Sequence, residues 1–202
     1  MKLYGFPASP NTRKVRAVAA HLGIPLDFSL VDLPKGQGQT PEYLALNPNG
    51  KTPTLDDNGF ILWESNAIMQ YLAGTKANTL WPEDVRTRAD ITRWQCWQLA
   101  HWSRGTGTLI FENALKPMRG LPSDTAQVAQ GEATFKQFAA VLDAHLAKRS
   151  YLVGNALTLA DFSVASDLMY AVPAKFPIEP FRNVQAWYAR FDALPAWRQC
   201  AN

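Results

Sequence analysis

Residues 5–24 have the sequence GFPASPNTRKVRAVAAHLGI, in which an apolar segment ends, a short polar run follows and a periodic segment begins. The apolar residues Val15, Val18 and Leu22 recur with the spacing of one face of a helix. Residues 2–6, just before the polar run, have the character of a strand. The hydroxyl and amide side chains between the two segments are of the kind that caps helix N-termini. This stretch therefore predicts a strand that passes through a tight turn into a helix.

The first 75 residues alternate between strand and helix patterns. Strands are predicted over residues 2–6 and 26–33, and helices over 12–22, 40–48 and 65–75. Residues 52–64 are predicted to form a hairpin, because Asp57-Asn58-Gly59 is a strong turn signal between two strand-like halves. The βαβαββα order predicts a small α/β domain over residues 1–75.

Beyond residue 75 the strand patterns disappear. Residues 76–84 have the composition of a linker, and the remainder is dominated by amphipathic helical patterns. These cover residues 83–115, 124–150, 157–172 and 184–197. We therefore expect an all-α domain over residues 85–202.

The composition argues against several classes of protein. The net charge of +3 comes from scattered cations, whereas nucleic-acid binding requires clustered ones. The apolar runs are shorter than a membrane helix needs, and the start lacks the features of a signal peptide. The two cysteines, Cys96 and Cys200, are far apart and are expected to be free thiols. The histidines lack ligand spacing, so no metal site is predicted. We expect a cytoplasmic protein without nucleic-acid or membrane partners.

At three junctions between segments, the residues could bind a ligand. The helix N-terminus after Ser9 could hold an anion or stabilise a thiolate, although Ser9 or Asn11 could equally serve only as a cap. A cis Thr52–Pro53 bond would expose main-chain groups of Thr52 to a peptide-like ligand. At the next junction, Ser65 and the N–H groups after it could bind a carboxylate, and Glu64 could pair with an amine.

The three segments MKLYGFPASPNTRKV, NPNGKTPTL and ESNAIMQYL together resemble the N-terminal thioredoxin-like domain of cytosolic glutathione S-transferases. The helical half resembles the C-terminal domain of the same family. Bacterial enzymes and the serine-type plant (phi) and theta-like classes look most similar. The resemblance implies a cytoplasmic, homodimeric detoxification enzyme. It would use glutathione as co-substrate, without a metal, and activate the thiol for attack on small hydrophobic electrophiles.

The resemblance also implies roles for individual residues. Ser9 corresponds to the hydroxyl that donates to the glutathione sulfur, with Asn11 and Thr12 as rival donors. The residues expected to bind the rest of glutathione are Gln39, Lys51, Thr52, Pro53, Glu64 and Ser65. Related enzymes often carry a His-Lys pair before the segment TPEYL, where this chain has GQGQ. Gln37, Gln39 and Lys35 are therefore the candidates for the glycine carboxylate.

In the helical half, Thr158 and Asp161 are expected to form a structural capping box, because they are three residues apart before an apolar run. The second substrate is expected between the domains. Its apolar wall is assigned to Phe6, Pro7, Trp102, Leu109, Phe111 and Tyr170.

Two other functions remain open at this point. A member of the family could bind glutathione, an apolar ligand or a protein partner without catalysis. The GQGQ departure keeps this alternative open, because the fold alone does not establish activity. A glutathione-dependent disulfide reductase is the second alternative. Such relatives usually have a cysteine where this chain has Ser9, so the absence of a cysteine nearby argues against it.

Overall fold

The computed structural model describes residues 1–201, which divide into two compact units. The first unit runs from Met1 to Trp81 and includes the C-terminal segment from Ala193 onward, and the second is Pro82–Asp192. The expected helical domain over 85–202 therefore differs from the observed unit at its C-terminal end. The reason lies in the contacts of Trp197, whose ring lies 3.9 Å from the Arg13 guanidinium and whose carbonyl accepts a hydrogen bond from Arg13.

The first unit contains a four-stranded sheet and three main helices in the expected βαβαββα order. The elements are β1 (Lys2–Gly5), α1 (Pro10–His21), β2 (Asp27–Leu30), α2 (Pro41–Leu46), β3 (Thr54–Asp57), β4 (Phe60–Trp63) and α3 (Ser65–Gly74). The strand order is β2-β1-β3-β4, with β1 and β2 parallel and the other pairs antiparallel. The predicted hairpin is present: Asp57 pairs with Phe60 across Asn58 and Gly59, which both have positive φ. This is the two-residue turn that an Asn-Gly sequence favours.

The core of the first unit lies where α1 and α3 meet. Leu3 and Leu55 are fully buried on the two central strands. Val15 and Val18 of α1 and Ile68 of α3 are fully buried as well. The apolar spacing that predicted α1 therefore corresponds to its buried face. The packing of this face holds the start of α1 next to the end of β1.

The second unit is helical throughout. Its elements are α4 (Val85–Trp97), α5 (Ser103–Ile110), α6 (Lys116–Met118), α7 (Thr125–Leu146), α8 (Leu159–Ala165) and α9 (Arg182–Asp192), and a short α10 (Pro195–Arg198) follows in the C-terminal segment. Two π-helical turns, Gln98–Trp102 and Phe111–Leu115, join α4, α5 and α6 into one long helical run. None of the helices within residues 1–201 is long and apolar enough to span a bilayer.

Glycine determines how closely α5 and α7 approach. A Cβ atom at Gly105 would lie 2.7 Å from the backbone nitrogen of Phe135, so only glycine fits at this crossing. Phe135 and Trp102 are fully buried beside it, with ring centroids 4.9 Å apart. Gly105 is therefore a packing residue at the centre of this core.

The capping box at the start of α8 is present, and its carboxylate also accepts hydrogen bonds from outside the box. Asp161 accepts hydrogen bonds from the backbone N–H and the hydroxyl of Thr158, at 2.9 and 3.1 Å. It also accepts from the Leu152 N–H at 3.0 Å and from Trp187 Nε1 at 2.9 Å. Burial raises the pKa of this carboxyl, and the four hydrogen bonds oppose that shift. Asp161 thus joins the loop before α8 to α9.

Candidate active site

Ser9 is the N-cap of α1. Its backbone is extended, Pro10 occupies the first helical position, and the Ser9 hydroxyl oxygen accepts from the Thr12 N–H at 3.4 Å. Accepting that bond leaves the hydroxyl hydrogen available for a second partner, since a hydroxyl is donor and acceptor at once. The side chain is half-buried. Capping and donation to an anion are therefore compatible at this residue.

The two rival donors have other partners. Thr12 is fully buried, and its hydroxyl oxygen accepts from the Phe6 N–H at 3.3 Å. A side chain without accessible surface cannot reach a thiol, so the expectation for Thr12 as a donor is wrong. Asn11 is half-buried, and its Oδ1 accepts from the Ser65 hydroxyl at 3.1 Å. Asn11 therefore links the first and third junctions of the sequence.

The second junction is organised around Thr52. The Thr52–Pro53 peptide bond is cis, as the sequence suggested. Within residues 1–201 the main-chain N–H and C=O of Thr52 make no hydrogen bond, because β3 begins only at Thr54. The carbonyl of Lys51 instead accepts from the Tyr43 hydroxyl and from Asn47 Nδ2, at 2.7 and 2.8 Å. Burial raises the pKa of Tyr43, which keeps its hydroxyl protonated and able to donate.

The Thr52 hydroxyl is expected to lower the stability of the protein. Its oxygen is buried and has no hydrogen-bond partner in the described part of the chain. Thr52→Val removes this unsatisfied group at nearly constant shape, so we expect the free energy of unfolding to rise by about 1 kcal/mol. Chemical denaturation measures this change. The matched control is Thr54→Val, which should be destabilising because the Thr54 hydroxyl contacts Tyr43 and Asn47. A loss of stability in Thr52→Val would contradict the prediction.

The third junction presents the N-terminus of α3. Glu64 precedes it with φ 73° and ψ 108°, and its exposed side chain makes no capping bond in the described structure. Ser65 is buried and bonded to Asn11. The first N–H groups of α3 therefore lack a side-chain cap from Glu64, which is the arrangement that favours a bound carboxylate.

The three candidates for binding the glycine carboxylate have different neighbours in the structure. The Gln37 side-chain oxygen accepts from the Asp32 N–H at 2.6 Å, and Lys35 forms an ion pair with Asp32 at 3.0 Å. Gln39 instead lies against Gly50, directly before the exposed Lys51. Gln39 and Lys51 are therefore close to Thr52 along the loop, whereas the side chains of Gln37 and Lys35 contact Asp32.

Comparison with known proteins identifies the family. The chain matches the model "Glutathione S-transferase, N-terminal domain" over residues 3–79 and the model "Glutathione S-transferase, C-terminal domain" over residues 125–190. It is 33% identical to glutathione S-transferase 3 of Zea mays, over 98% of this chain and 92% of that protein. The chain belongs to the glutathione S-transferase family. Glutathione S-transferase hmp2 of Hypomyces subiculosus is 35% identical, over 98% of this chain and 95% of the relative.

Solved glutathione transferases share the fold. Glutathione transferase F2 of Populus trichocarpa superposes with a TM-score of 0.91 at 25% identity, covering 98% of this chain and 96% of that one. Glutathione S-transferase-I, solved with lactoylglutathione, has a TM-score of 0.89 at 26% identity, covering 99% and 97%. The two relatives named above come from a plant and a fungus, and the resemblance to bacterial enzymes is not supported by them.

Two residues expected in the wall for the second substrate are instead core residues of the transferase's helical unit. Trp102 and Leu109 have no accessible surface. The Trp102 ring stacks on Trp97, and its Nε1 donates to the carbonyl of Val164 at 3.2 Å. Helical spacing alone could not separate a core aromatic from a ligand contact. Trp102 and Leu109 therefore cannot form the expected wall.

The other four wall residues keep accessible surface. Phe111 is 45% exposed on the second unit, and Tyr170 is half-buried there. Burial raises the pKa of Tyr170, so the phenol stays protonated near neutral pH. Phe6 and Pro7 are half-buried next to the Ser9 turn of the first unit. These four residues remain candidates for electrophile contacts.

The burial of Lys14 was not predicted from the sequence. Lys14 is fully buried, and its Nζ donates to Asn66 Oδ1 at 2.9 Å. A signal was present, because Lys14 lies four residues before Val18 and hence on the apolar face of α1. A lysine in that register is a candidate for a buried charge.

Proposed function

We propose that the protein is a serine-type glutathione transferase of the plant phi-like kind, in which the Ser9 hydroxyl donates a hydrogen bond to the glutathione sulfur. The observation that carries the proposal is the geometry of Ser9 at the start of α1, with its hydrogen available and Thr12 engaged internally. Free thiols titrate near pH 8.5, so only about 3% is ionised at pH 7. A charge-assisted hydrogen bond at a helix N-terminus favours the thiolate.

Glutathione supplies the groups that match the other two junctions. Its cysteinyl backbone pairs with the main chain of Thr52, in the manner of an added strand. Its γ-glutamyl carboxylate binds at the N-terminus of α3, with Ser65, while Glu64 pairs with the ammonium. Its glycine carboxylate is bound by Lys51 and Gln39. Support comes from the main chain of Thr52, which makes no hydrogen bond to the described residues 1–201, and from the position of Gln39 against Gly50.

The electrophile contacts Phe6 and Pro7, which are half-buried next to the Ser9 turn of the first unit. In this proposal the reaction is attack by the thiolate on a small hydrophobic electrophile, in detoxification. Ser9 stabilises the anion and need not accept a proton. Lactoylglutathione, the ligand named for glutathione S-transferase-I, is a glutathione conjugate and supports glutathione as the co-substrate.

We also propose a homodimer in the cytoplasm. Phe60 and Trp63 on β4 are 51% and 40% exposed, which is apolar surface that a second copy could cover. Cys96 and Cys200 are both free thiols, as a reducing compartment requires. Light scattering at micromolar concentration should give twice the mass of one chain. A monomeric mass would contradict the dimer and leave the chemistry of Ser9 unaffected.

Turnover tests the function directly. The purified protein should consume glutathione in the presence of chlorodinitrobenzene, with a rate that saturates in both substrates. Saturable glutathione binding without turnover of a panel of electrophiles would favour the non-catalytic alternative. A disulfide reductase would instead reduce a mixed disulfide of glutathione, which we do not expect because residues 1–81 contain no cysteine.

A further inference from the structure

The first unit contains a cavity of about 360 Å³, lined by residues of β1, β2, α2 and the segment before α2. Its apolar lining consists of Leu30, Val31 and Leu46. Among the described residues that line it, none is a residue proposed to bind glutathione. An apolar cavity of about 150 Å³ holds benzene. The volume is therefore sufficient for a bicyclic aromatic ring with a short side chain.

Two hydroxyl side chains of the sheet also line this cavity. Tyr4 and Ser29 are paired across β1 and β2, so their side chains lie on the same face of the sheet. Neither hydroxyl makes a hydrogen bond to the described residues 1–201. A hydroxyl can accept a hydrogen bond as well as donate one. The sheet side of the cavity therefore offers acceptors to a ligand that carries donors.

The charges around the cavity favour a cation. Glu42 is the only charged residue among the described lining residues, and its exposed carboxylate makes no ion pair within residues 1–201. Lys2 lies on the same face of the sheet as Tyr4, with its Nζ 4.7 Å from the centroid of that ring. The partners of Lys2 in the neighbouring strands are Asp27 and Asp56, so this row has more negative than positive charge. A positively charged ligand is therefore attracted and an anion repelled.

Tyr43 connects the cavity to the candidate glutathione site. It lines the cavity, and its hydroxyl donates to the carbonyl of Lys51 at 2.7 Å, directly before Thr52. Thr40, another lining residue, accepts from the Tyr43 N–H at 3.3 Å and directly follows Gln39 in the chain. Lys51 and Gln39 are the residues proposed to bind the glycine carboxylate. A ligand that orders Tyr43 and Thr40 therefore also orders this part of the glutathione site.

We propose that this cavity binds a small aromatic amine in its cationic form, and that the bound amine strengthens glutathione binding through Tyr43. The ammonium group pairs with Glu42, and the ring packs on the apolar lining. The coupling to glutathione rests on the proposed function, whereas the amine site itself does not. Because coupling between two ligands is reciprocal, glutathione should strengthen amine binding by the same factor.

Calorimetric titration with 2-naphthylmethylamine, in the absence of glutathione, tests the amine site. We expect saturable binding. The matched probes are 2-naphthalenemethanol, which has the same ring without a charge, and 2-naphthoate, which has the opposite charge. Naphthoate should bind roughly tenfold more weakly than the amine, because Glu42 attracts the one and repels the other.

Variants of Glu42 locate the bound amine. Glu42→Gln should weaken amine binding about fivefold, and Glu42→Arg should reverse the preference in favour of naphthoate. Glu83→Gln removes an exposed carboxylate from the second unit and should leave the dissociation constant unchanged. If the amine does not bind, or binds no more tightly than naphthoate, the inference is wrong. Equal amine binding in the Glu42 variants and the unmodified protein would place the amine elsewhere and would also overturn it.

Titration with glutathione at saturating amine tests the coupling. The dissociation constant of glutathione should fall about fivefold, which is at the lower end of typical couplings between sites. Tyr43→Phe keeps a ring in the cavity wall and removes the bond to Lys51, so this variant should bind the amine and lose the coupling. An unchanged glutathione affinity in the unmodified protein would overturn the coupling and leave the proposed function standing. Failure to bind glutathione with or without the amine would instead contradict the proposed function.

Discussion

Ser9→Ala is expected to lower kcat/KM for conjugation by about 100-fold while changing the dissociation constant of glutathione little. A hydrogen bond to a charged group contributes roughly 1.5–3 kcal/mol, which corresponds to roughly 10- to 150-fold in rate. The tripeptide would still be bound through Thr52, Ser65 and the N-terminus of α3. Steady-state kinetics and calorimetric titration with glutathione measure the two quantities separately.

The loss of the helix cap requires a control, because Ser9 also accepts from the Thr12 N–H at 3.4 Å. Thr40→Ala removes an equivalent cap from α2, where the Thr40 hydroxyl accepts from the Tyr43 N–H at 3.3 Å. Each variant should lose about 1 kcal/mol of stability. Only Ser9→Ala should lose activity. Equal activity in the two variants would remove Ser9 from the mechanism and leave Asn11 as the remaining side-chain donor.

Asp161→Ala should be the most destabilising change, with a loss of about 3–5 kcal/mol in the free energy of unfolding, because it breaks a buried hydrogen-bond network. The carboxylate is fully buried and accepts four hydrogen bonds, from Thr158, Leu152 and Trp187. Alanine would leave four buried donors without an acceptor, each carrying a desolvation cost. Such a loss is a large part of the total stability of a typical domain, about 5–15 kcal/mol.

Denaturant unfolding, followed by tryptophan fluorescence, measures this effect. Asp161→Asn keeps one oxygen acceptor at the same position and should lose less than the alanine variant. Asp90→Ala is the matched surface control, because among residues 1–201 the Asp90 carboxylate pairs with the exposed Arg93 of its own helix. This variant should lose under about 1 kcal/mol. A loss below about 1 kcal/mol in Asp161→Ala would show that the four bonds contribute little to folding.

Local signals in the sequence predicted much of this molecule. The turn at Ser9, the Asn58-Gly59 hairpin and the capping box of Thr158 depend on residues close together in the chain, so their chemistry is visible in the sequence. The family segments are likewise short and contiguous. They are sufficient for the order of strands and helices in the first unit and for the three junctions of the candidate site.

The sequence did not predict correctly which face of a helix is buried or which distant segments of the chain are in contact. A one-residue change in the start of a helix rotates each side chain by about 100°, so the sequence could not decide which side chain after β1 faces the ligand. In the structure the Thr12 hydroxyl is bonded to the Phe6 N–H. Trp102 has the spacing of any core or cleft aromatic, so its contacts with Phe135 and Val164 decide its role. The pairing of Trp197 with Arg13 spans 184 residues and leaves no periodic signal.

The proposed function depends on stabilisation of the glutathione thiolate at the start of α1. The most direct measurement is an ultraviolet titration of glutathione bound to the purified protein, with thiolate absorbance followed against pH. We expect a midpoint about two units below the value of roughly 8.5 for a free thiol. Saturable binding with an unshifted midpoint would contradict the account and would favour a carrier or partner-binding role for the same fold.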